Sequence, residues 1–312
     1  MRVAVGQFRE LTLEDISFAA QLGASGITLN HPDFQSPSWR KLLGRHGAYR
    51  ASDAPAIDHW EYMDLLRLRT MVEDQGLRLE ALENVPGHYM DKIHLGAPGR
   101  DEQIEAYCKT IRNMGRAGIP LLGYTFNVTR VWRTSHFART RGGAYTSAFD
   151  PERLDAATDE AAKLSHDDVW NNYRYFIEAV LPVAEEAGVR LALHPDDPPY
   201  AELGGVARIM VGKDNLQKVL DMGDSEYHGL DFCMGTCAER GVDEMYDMLD
   251  YFSGRGKVFY AHVRNIRRDG ERFSECFIDD GDIDIPRALR LLEKNGFDGF
   301  IIDDHVPQIV GD

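Results

Sequence analysis

Residues 168–196, DVWNNYRYFIEAVLPVAEEAGVRLALHPD, read as a helix closed by a glycine and followed at once by an apolar strand. The amphipathic stretch Asp168–Ala187 ends at Gly188, the residue type that most readily takes the left-handed conformation at a helix end. Arg190–Asp196 then runs apolar and finishes on His194, Pro195 and Asp196. The same unit recurs along the chain. Further apolar runs occupy Arg2–Gln7, Gly26–Asn30, Leu77–Asn84, Ile119–Asn127, His228–Gly235, Lys257–Asn265 and Phe300–His305, which brings the total to eight. Helical patterns lie between them. Asp58–Gln75 carries Trp60, Met63, Leu66, Leu68, Met71 and Val72 on one broad stripe before Gly76, and Asp101–Ala117 closes at Gly118. Near-continuous apolar strands alternating with helices signal a parallel sheet covered on both faces. A count of eight favours a (β/α)8 TIM barrel over an open doubly wound sheet. Gly6-Gln7-Phe8, after the first strand, lacks the glycine-rich fingerprint of a dinucleotide-binding fold.

The 312 residues show no linker or shift of composition, so a single domain, 1–312, is expected. Lys and Arg number 35 against 51 Asp and Glu; the resulting charge of −16 repels phosphate backbones and argues against a nucleic-acid partner. No run approaches the ~18 apolar residues of a membrane span, and Met1 leads straight into Arg2-Val3-Ala4-Val5 without a signal-peptide core. Cys108, Cys233, Cys237 and Cys276 do not form a disulfide framework in a chain of this length. A cytoplasmic protein is expected. Residues 128–165, with Arg130, Trp132, Arg133, Arg139, Arg141, Gly142-Gly143 and Phe149, show little periodicity and read as an insertion after the fourth strand, a lid or a subunit contact. The sequence stops at Asp312, just after the eighth strand, so the final helix of a barrel is missing or truncated. That gap, with the insertion, leads to the expectation of a homo-oligomer, a dimer or tetramer.

Functional side chains of a barrel gather at the carboxyl ends of its strands. Here strand three ends Glu83-Asn84-Val85-Pro86-Gly87-His88, strand five His194-Pro195-Asp196-Asp197, strand six at Cys233, strand seven His262-Val263-Arg264-Asn265 and strand eight Asp303-Asp304-His305. Strands five to eight thus offer His, Cys, His and Asp on neighbouring ends, a donor set suited to Zn²⁺, Fe²⁺ or Mn²⁺ and poor for Ca²⁺ or Mg²⁺. Each alone has a plainer role: a lone Cys is usually a small buried hydrophobe, and a lone His a hydrogen-bonded structural group. His31, His46, His59, His136, His166 and His228 are read that way, as is Cys237, whose spacing from Cys233 is wrong for a redox pair. Only the joint placement raises His194, Cys233 and His262, with Asp303 or Asp304. Those two aspartates point to opposite sides of a strand, so one of them is the ligand. Arg130, Trp132, Arg133 and Arg264 suit a small anionic substrate, because Arg forks a carboxylate bidentately.

These strand-end motifs are similar to those of the mannonate dehydratase family, metal-dependent sugar-acid lyases on a xylose-isomerase-like barrel. The likeness covers most of the chain. It rests on Glu83 to His88 with Lys92 and Gly96, on Asn127 to Arg133, on His194 to Pro199, on His262-Val263-Arg264-Asn265 and on Asp304-His305. The resemblance implies one Mn²⁺ or Fe²⁺ held by His194, Cys233, His262 and Asp304, and loss of water from D-mannonate to give 2-dehydro-3-deoxy-D-gluconate. The chain departs from the family pattern at Asp303, where Pro is expected, at Tyr89, where an acidic residue is usual, and after Cys233, where Met-Gly-Thr-Cys-Ala-Glu replaces a shorter Gly-Ser turn. The tyrosine of the family's C-terminal segment has no counterpart.

Removing water across C2 and C3 of an aldonic acid needs concentrated positive charge beside the carboxylate and a proton for the departing hydroxyl. Arg264 or Arg133 is expected to bind the carboxylate, and His305 to be the general acid. The base is a metal-bound hydroxide, Tyr124 or a tail residue. Trp132, His88, Lys92, Asn265 and Asp196 complete the expected substrate contacts, Asp196 and Asp197 also as groups that orient His194. The alternatives are a metal-dependent sugar isomerase or epimerase on the same barrel, or a lyase for another aldonic acid. More distant are a phosphodiesterase for abasic DNA, disfavoured by net charge, and a sugar-acid sensor, which has no use for four metal-type ligands.

Overall fold

The computed structural model describes residues 1–44, 58–129, 131–154 and 163–310. His46 and Arg130 lie outside them. All eight apolar runs form strands: β1 Arg2–Phe8, β2 Gly26–Asn30, β3 Arg78–Glu83, β4 Leu121–Tyr124, β5 Arg190–Leu193, β6 His228–Cys233, β7 Val258–His262 and β8 Phe300–Ile302. They close into one parallel barrel in which β1 pairs with both β2 and β8. The strands are shorter than the apolar runs because the carboxyl-terminal residues of each run leave the ladder as loops. His194 and Asp304, for example, stand just past β5 and β8.

Small and large side chains alternate inside the barrel, where Ala4, Ala81 and Ala192 pack with Tyr260, Phe300 and Ile302. The Tyr260 and Phe300 rings stack at 4.9 Å. Gly123 on β4 must be a glycine, since a Cβ there would sit 2.2 Å from the Tyr260 hydroxyl. The outer layer holds the amphipathic helices, including Tyr62–Glu73, Arg100–Ala117, which ends at Gly118 (φ +74°), and His166–Ala187, which ends at Gly188 (φ +68°). Among the described residues no helix follows β8. On the outer side of β1, Val3 is 58% exposed, and Phe18 and Leu22 on the neighbouring helix Leu13–Gln21 and its cap are 57% and 64% exposed.

The insertion after β4 is a hairpin, Ser135–Arg139 and Tyr145–Phe149. It joins a second hairpin, Asn265–Asp269 and Arg272–Cys276, that directly follows β7, and the two build a four-stranded antiparallel sheet at the mouth of the barrel. Phe149 and Phe273, both buried, stack at 5.6 Å and lock them together. Asn265 therefore opens a new strand rather than ending β7. The loose segment expected over 128–165 is, where described, the outer half of this sheet.

Candidate active site at the carboxyl ends of the strands

Register decides which side chains face inward. Cys233 is paired with His262, and His262 with Ile302, so the side chains of Cys233, His262 and (two residues beyond Ile302) Asp304 project to the same side. One donor atom from each of His194, Cys233 and His262 lies within 4.8 Å of the others. Asp304 Oδ2 adds a carboxylate 3.6 Å from Cys233 Sγ and 3.7 Å from His262 Nδ1. The structure thus brings together all four residues singled out as metal-type ligands, and between Asp303 and Asp304 it is Asp304 that turns to Cys233.

The ring orientations suit a metal. His262 Nε2 lies 3.2 Å from Asp231, 3.3 Å from Glu83 and 3.2 Å from Gln7 Nε2, while among the described residues its buried Nδ1 has no hydrogen-bond partner. His194 Nδ1 lies 2.6 Å from the Pro195 carbonyl, which fixes a proton there and leaves Nε2 as the ligand atom. Burial pushes the Cys233 thiol up, but the Arg264 guanidinium, with His194 and His262, outweighs it and lowers the thiol to about 5. Burial opposes charge on His194 too, yet Cys233 and Asp231 raise it to about 10. An anionic sulfur facing two imidazoles and a carboxylate is the mixed donor set that borderline-soft divalent ions prefer.

Around these donors runs a chain of amides. Thr125 donates to Asn84 Oδ1, Asn84 Nδ2 to Asn30 Oδ1, Asn30 Nδ2 to Gln7 Oε1, and Gln7 Nε2 to the Glu83 carboxylate at 3.0 and 3.1 Å. His31 and Asn84 hold positive φ, +50° and +55°, at the ends of β2 and β3, a strained backbone of the kind that collects at functional sites. His305 is the open member of the group, its side chain 36% exposed. Its Nδ1 lies 2.7 Å from Glu275 Oε1 and its Nε2 3.6 Å from Asp304 Oδ1; burial works against protonation, but these two carboxylates raise its pKa above the usual imidazole value.

Several expected roles do not survive the geometry. Tyr124 pairs with Leu193, whose neighbour His194 is the one that turns inward, so Tyr124 faces the helix layer. There its hydroxyl meets His228 Nε2 at 2.9 Å and Tyr173 at 3.1 Å, and burial raises its pKa well above the ordinary phenol value. It is a core residue and no base. Arg264 and Arg133 are largely committed to protein carboxylates, with the Arg264 Nε left without a hydrogen-bond partner among the described residues. Arg264 is held by Glu275 (2.7 Å), Glu239 (2.8 Å), Asp197 (3.0 Å) and Thr236 (2.8 Å), and Arg133 by Asp197 (2.6 Å) and Glu275 (2.7 Å). Asn265 spends its amide on the backbone of Ile266, Ile278 and Ile283, and Asp196 accepts from the Met210 amide. Both organise loops in this way. His88 and Lys92 stand exposed in the segment after β3, and Trp132 is half-buried against the core. Asp231, Glu239, Gln7 and Glu275 were not singled out from the sequence.

A closed parallel barrel with a cysteine, two histidines and an aspartate converging on its carboxyl-end mouth defines a metal-capable enzyme of the xylose-isomerase-like class. Solved structures agree on the fold: 3-keto-D-glucoside 4-epimerase from E. coli superposes with a TM-score of 0.60 at 10% identity, covering 99% of this chain and 94% of that one. At that identity the likeness speaks for the fold alone. The family model for D-mannonate dehydratase (UxuA) matches residues 4–162 and 151–312, and the chain belongs to that family of hydro-lyases. Mannonate dehydratase of Thermotoga maritima is 32% identical over 314 residues, 88% of this chain and 85% of the relative; that of Streptococcus pneumoniae is 33% identical over 288 residues, 83% and 78% respectively. The crystal structure of mannonate dehydratase from Streptococcus suis serotype 2 superposes with a TM-score of 0.84 at 32% identity, covering all of this chain and 86% of that one.

Proposed function

We propose that this chain removes water from D-mannonate to give 2-dehydro-3-deoxy-D-gluconate, with one Mn²⁺ or Fe²⁺ held by His194, Cys233, His262 and Asp304. The observation that carries the metal reading is the unpartnered, buried Nδ1 of His262 beside an acidified thiol and a second imidazole. When bound, the divalent ion supplies Lewis-acid charge against the negative charge that builds up as the C2 proton leaves. Asp231 and Glu83 hold the His262 ring so that Nδ1 faces the site. Glu275 keeps a proton on His305 and orients its ring, leaving Nε2 to protonate the departing C3 hydroxyl. Gln7, Asn30 and Asn84, each with hydrogen-bonding capacity to spare, are suited to the hydroxyls of the polyol tail.

The reading extends to a cytoplasmic homo-oligomer, dimer or tetramer. It is supported by four cysteines that are all buried free thiols and by the exposed apolar face around Val3, Phe18 and Leu22. Among the described residues no helix is long and apolar enough to cross a membrane.

The test is formation of 2-keto-3-deoxy acid from D-mannonate by Mn²⁺- or Fe²⁺-reconstituted protein. Cys233→Ser should lose bound metal. His305→Asn should keep its metal while kcat falls about 10²–10⁴-fold, the span of a general acid's contribution. A wild-type protein inert towards D-mannonate, or variants that both turn over normally, would refute the assignment.

A further inference from the structure

Three arginines of the mouth are buried to the last few per cent, and they differ in how their donors are used. Arg133 and Arg264, apart from the Arg264 Nε, give theirs mainly to Asp197, Glu239 and Glu275. Arg208 does not. It is 1% exposed, and among the described residues a single hydrogen bond, Nη1 to Thr129 Oγ1 at 2.9 Å, accounts for its donors, while Nε and Nη2 have no hydrogen-bond partner there. The nearest carboxylate, Asp196 Oδ1, stands 3.6 Å from Nη2, too far for a hydrogen bond, and is itself unpartnered. Nε and Nη2 form the side-on edge of the guanidinium, whose two parallel N–H groups match the two oxygens of a carboxylate. A buried cation with that edge unsatisfied is costly unless a ligand completes it.

Its place in the fold says which ligand. Arg208 follows the short hairpin Glu202–Leu203 and Val206–Ala207 in the loop after β5, and it is backed by Asp196, two residues from His194. Thr129 comes from the loop after β4. The free edge therefore lies at the carboxyl end of the barrel, between the loops of β4 and β5 and beside the donor that β5 supplies. We infer that Arg208, positioned by Thr129 and Asp196, binds the carboxylate of the sugar acid and so sets the preference for an acid over a neutral sugar. The inference rests on the dehydratase reading and gives Arg208 the role that composition alone suggested for Arg133 or Arg264.

The test compares D-mannonate with D-mannonamide, its neutral isostere, by calorimetric binding to the metal-loaded full chain and by KM and kcat for the acid. Wild type should favour the acid. Arg208→Gln should erase most of that preference, roughly a 10²-fold loss of affinity for the acid with little change for the amide, as expected when one partner of a buried charge pair is removed. Arg208→Lys, which keeps the charge without the fork, should fold even where Gln does not and should lie between the two. An acid-to-amide ratio unchanged in either folded variant overturns the inference, whatever happens to kcat, because a merely structural arginine would weaken both ligands alike. Wild type that ignores D-mannonate overturns the dehydratase reading instead. Arg208 then stands or falls on the same ratio for whichever aldonate binds, and falls with that reading if none does.

Discussion

At the scale of single residues the site depends on carboxylates that fix the side chains proposed to hold a metal. Asp231 has both oxygens without a hydrogen-bond partner and lies 3.2 Å from His262 Nε2; burial raises its pKa well above the ordinary carboxylate value. Together with Glu83 it sets negative charge against the Nε2 side of the ring, so that Nδ1 faces Cys233 and Asp304. Asp231→Asn can offer the ring an amide hydrogen in place of an acceptor, so metal affinity should fall about 10–100-fold with the fold intact, read by metal titration and circular dichroism. Unchanged affinity would mean that the ring is held by packing alone. Tyr124→Phe makes the opposite case. Its hydroxyl serves His228 and Tyr173 in the core, so the variant should lose about 1–2 kcal/mol of stability and none of its kcat. The four ligand-type residues were legible because each ends an apolar run. Asp231 had a signal as well: an aspartate inside the apolar run His228–Cys233, two residues before the cysteine and so on its face, has no reason to be there except a partner. The arginines were misread because a sequence shows which side chains carry charge but not which carboxylates the fold will set against them.

At the scale of elements, the hairpin after β7 does what the barrel alone cannot. It carries Glu275 across the mouth, where one carboxylate meets Arg264, Arg133 and His305, each at 2.7 Å. Burial would raise the Glu275 pKa, yet His305, Arg264 and Arg133 bring it far below the usual carboxylate range. Glu275→Gln leaves two buried guanidinium groups short of charge and should destabilise the protein by roughly 3–5 kcal/mol in urea unfolding. It should also lower kcat by releasing the His305 ring; a variant with wild-type stability and kcat would show the hairpin to be mere cover. The eight strands were readable as eight apolar runs, but this hairpin was not, because Asn265–Asp269 and Arg272–Cys276 are mostly polar and several of the residues they bury, Asn265 and Glu275 among them, are polar too. Its one local mark is Gly270 (φ +64°) at the turn, a residue type that tight hairpins demand. Strand ends were overread for a related reason: polar residues that finish a run, such as His194 to Asp196 and Asp303 to His305, were counted with it, yet they leave the ladder as loops.

At the scale of the whole molecule, stability against acid should be set first by two buried histidines outside the donor cluster. His94, packed on Phe126, and His228, between Tyr124, Tyr173 and the Gly223 carbonyl, are fully enclosed, and burial lowers each from 6.5 to about 4. The unfolded chain takes up a proton at each as pH falls below about 6.5, whereas the folded chain resists until about 4. Stability is therefore lost progressively across that window and levels off beneath it, on the order of 3 kcal/mol per histidine. The carboxylates held low, Asp197, Glu275 and Asp304, act in a different range: their contribution is intact above the ordinary carboxylate pKa of about 4 and fades only below it. The two sets separate in one experiment. Urea unfolding at pH 7 and at pH 4.5 should show His94→Gln and His228→Gln each losing less stability between the two pH values than wild type, even if each variant is weaker at pH 7. An equal loss in all three proteins would place the acid sensitivity in other groups and leave these two imidazoles as packing groups only.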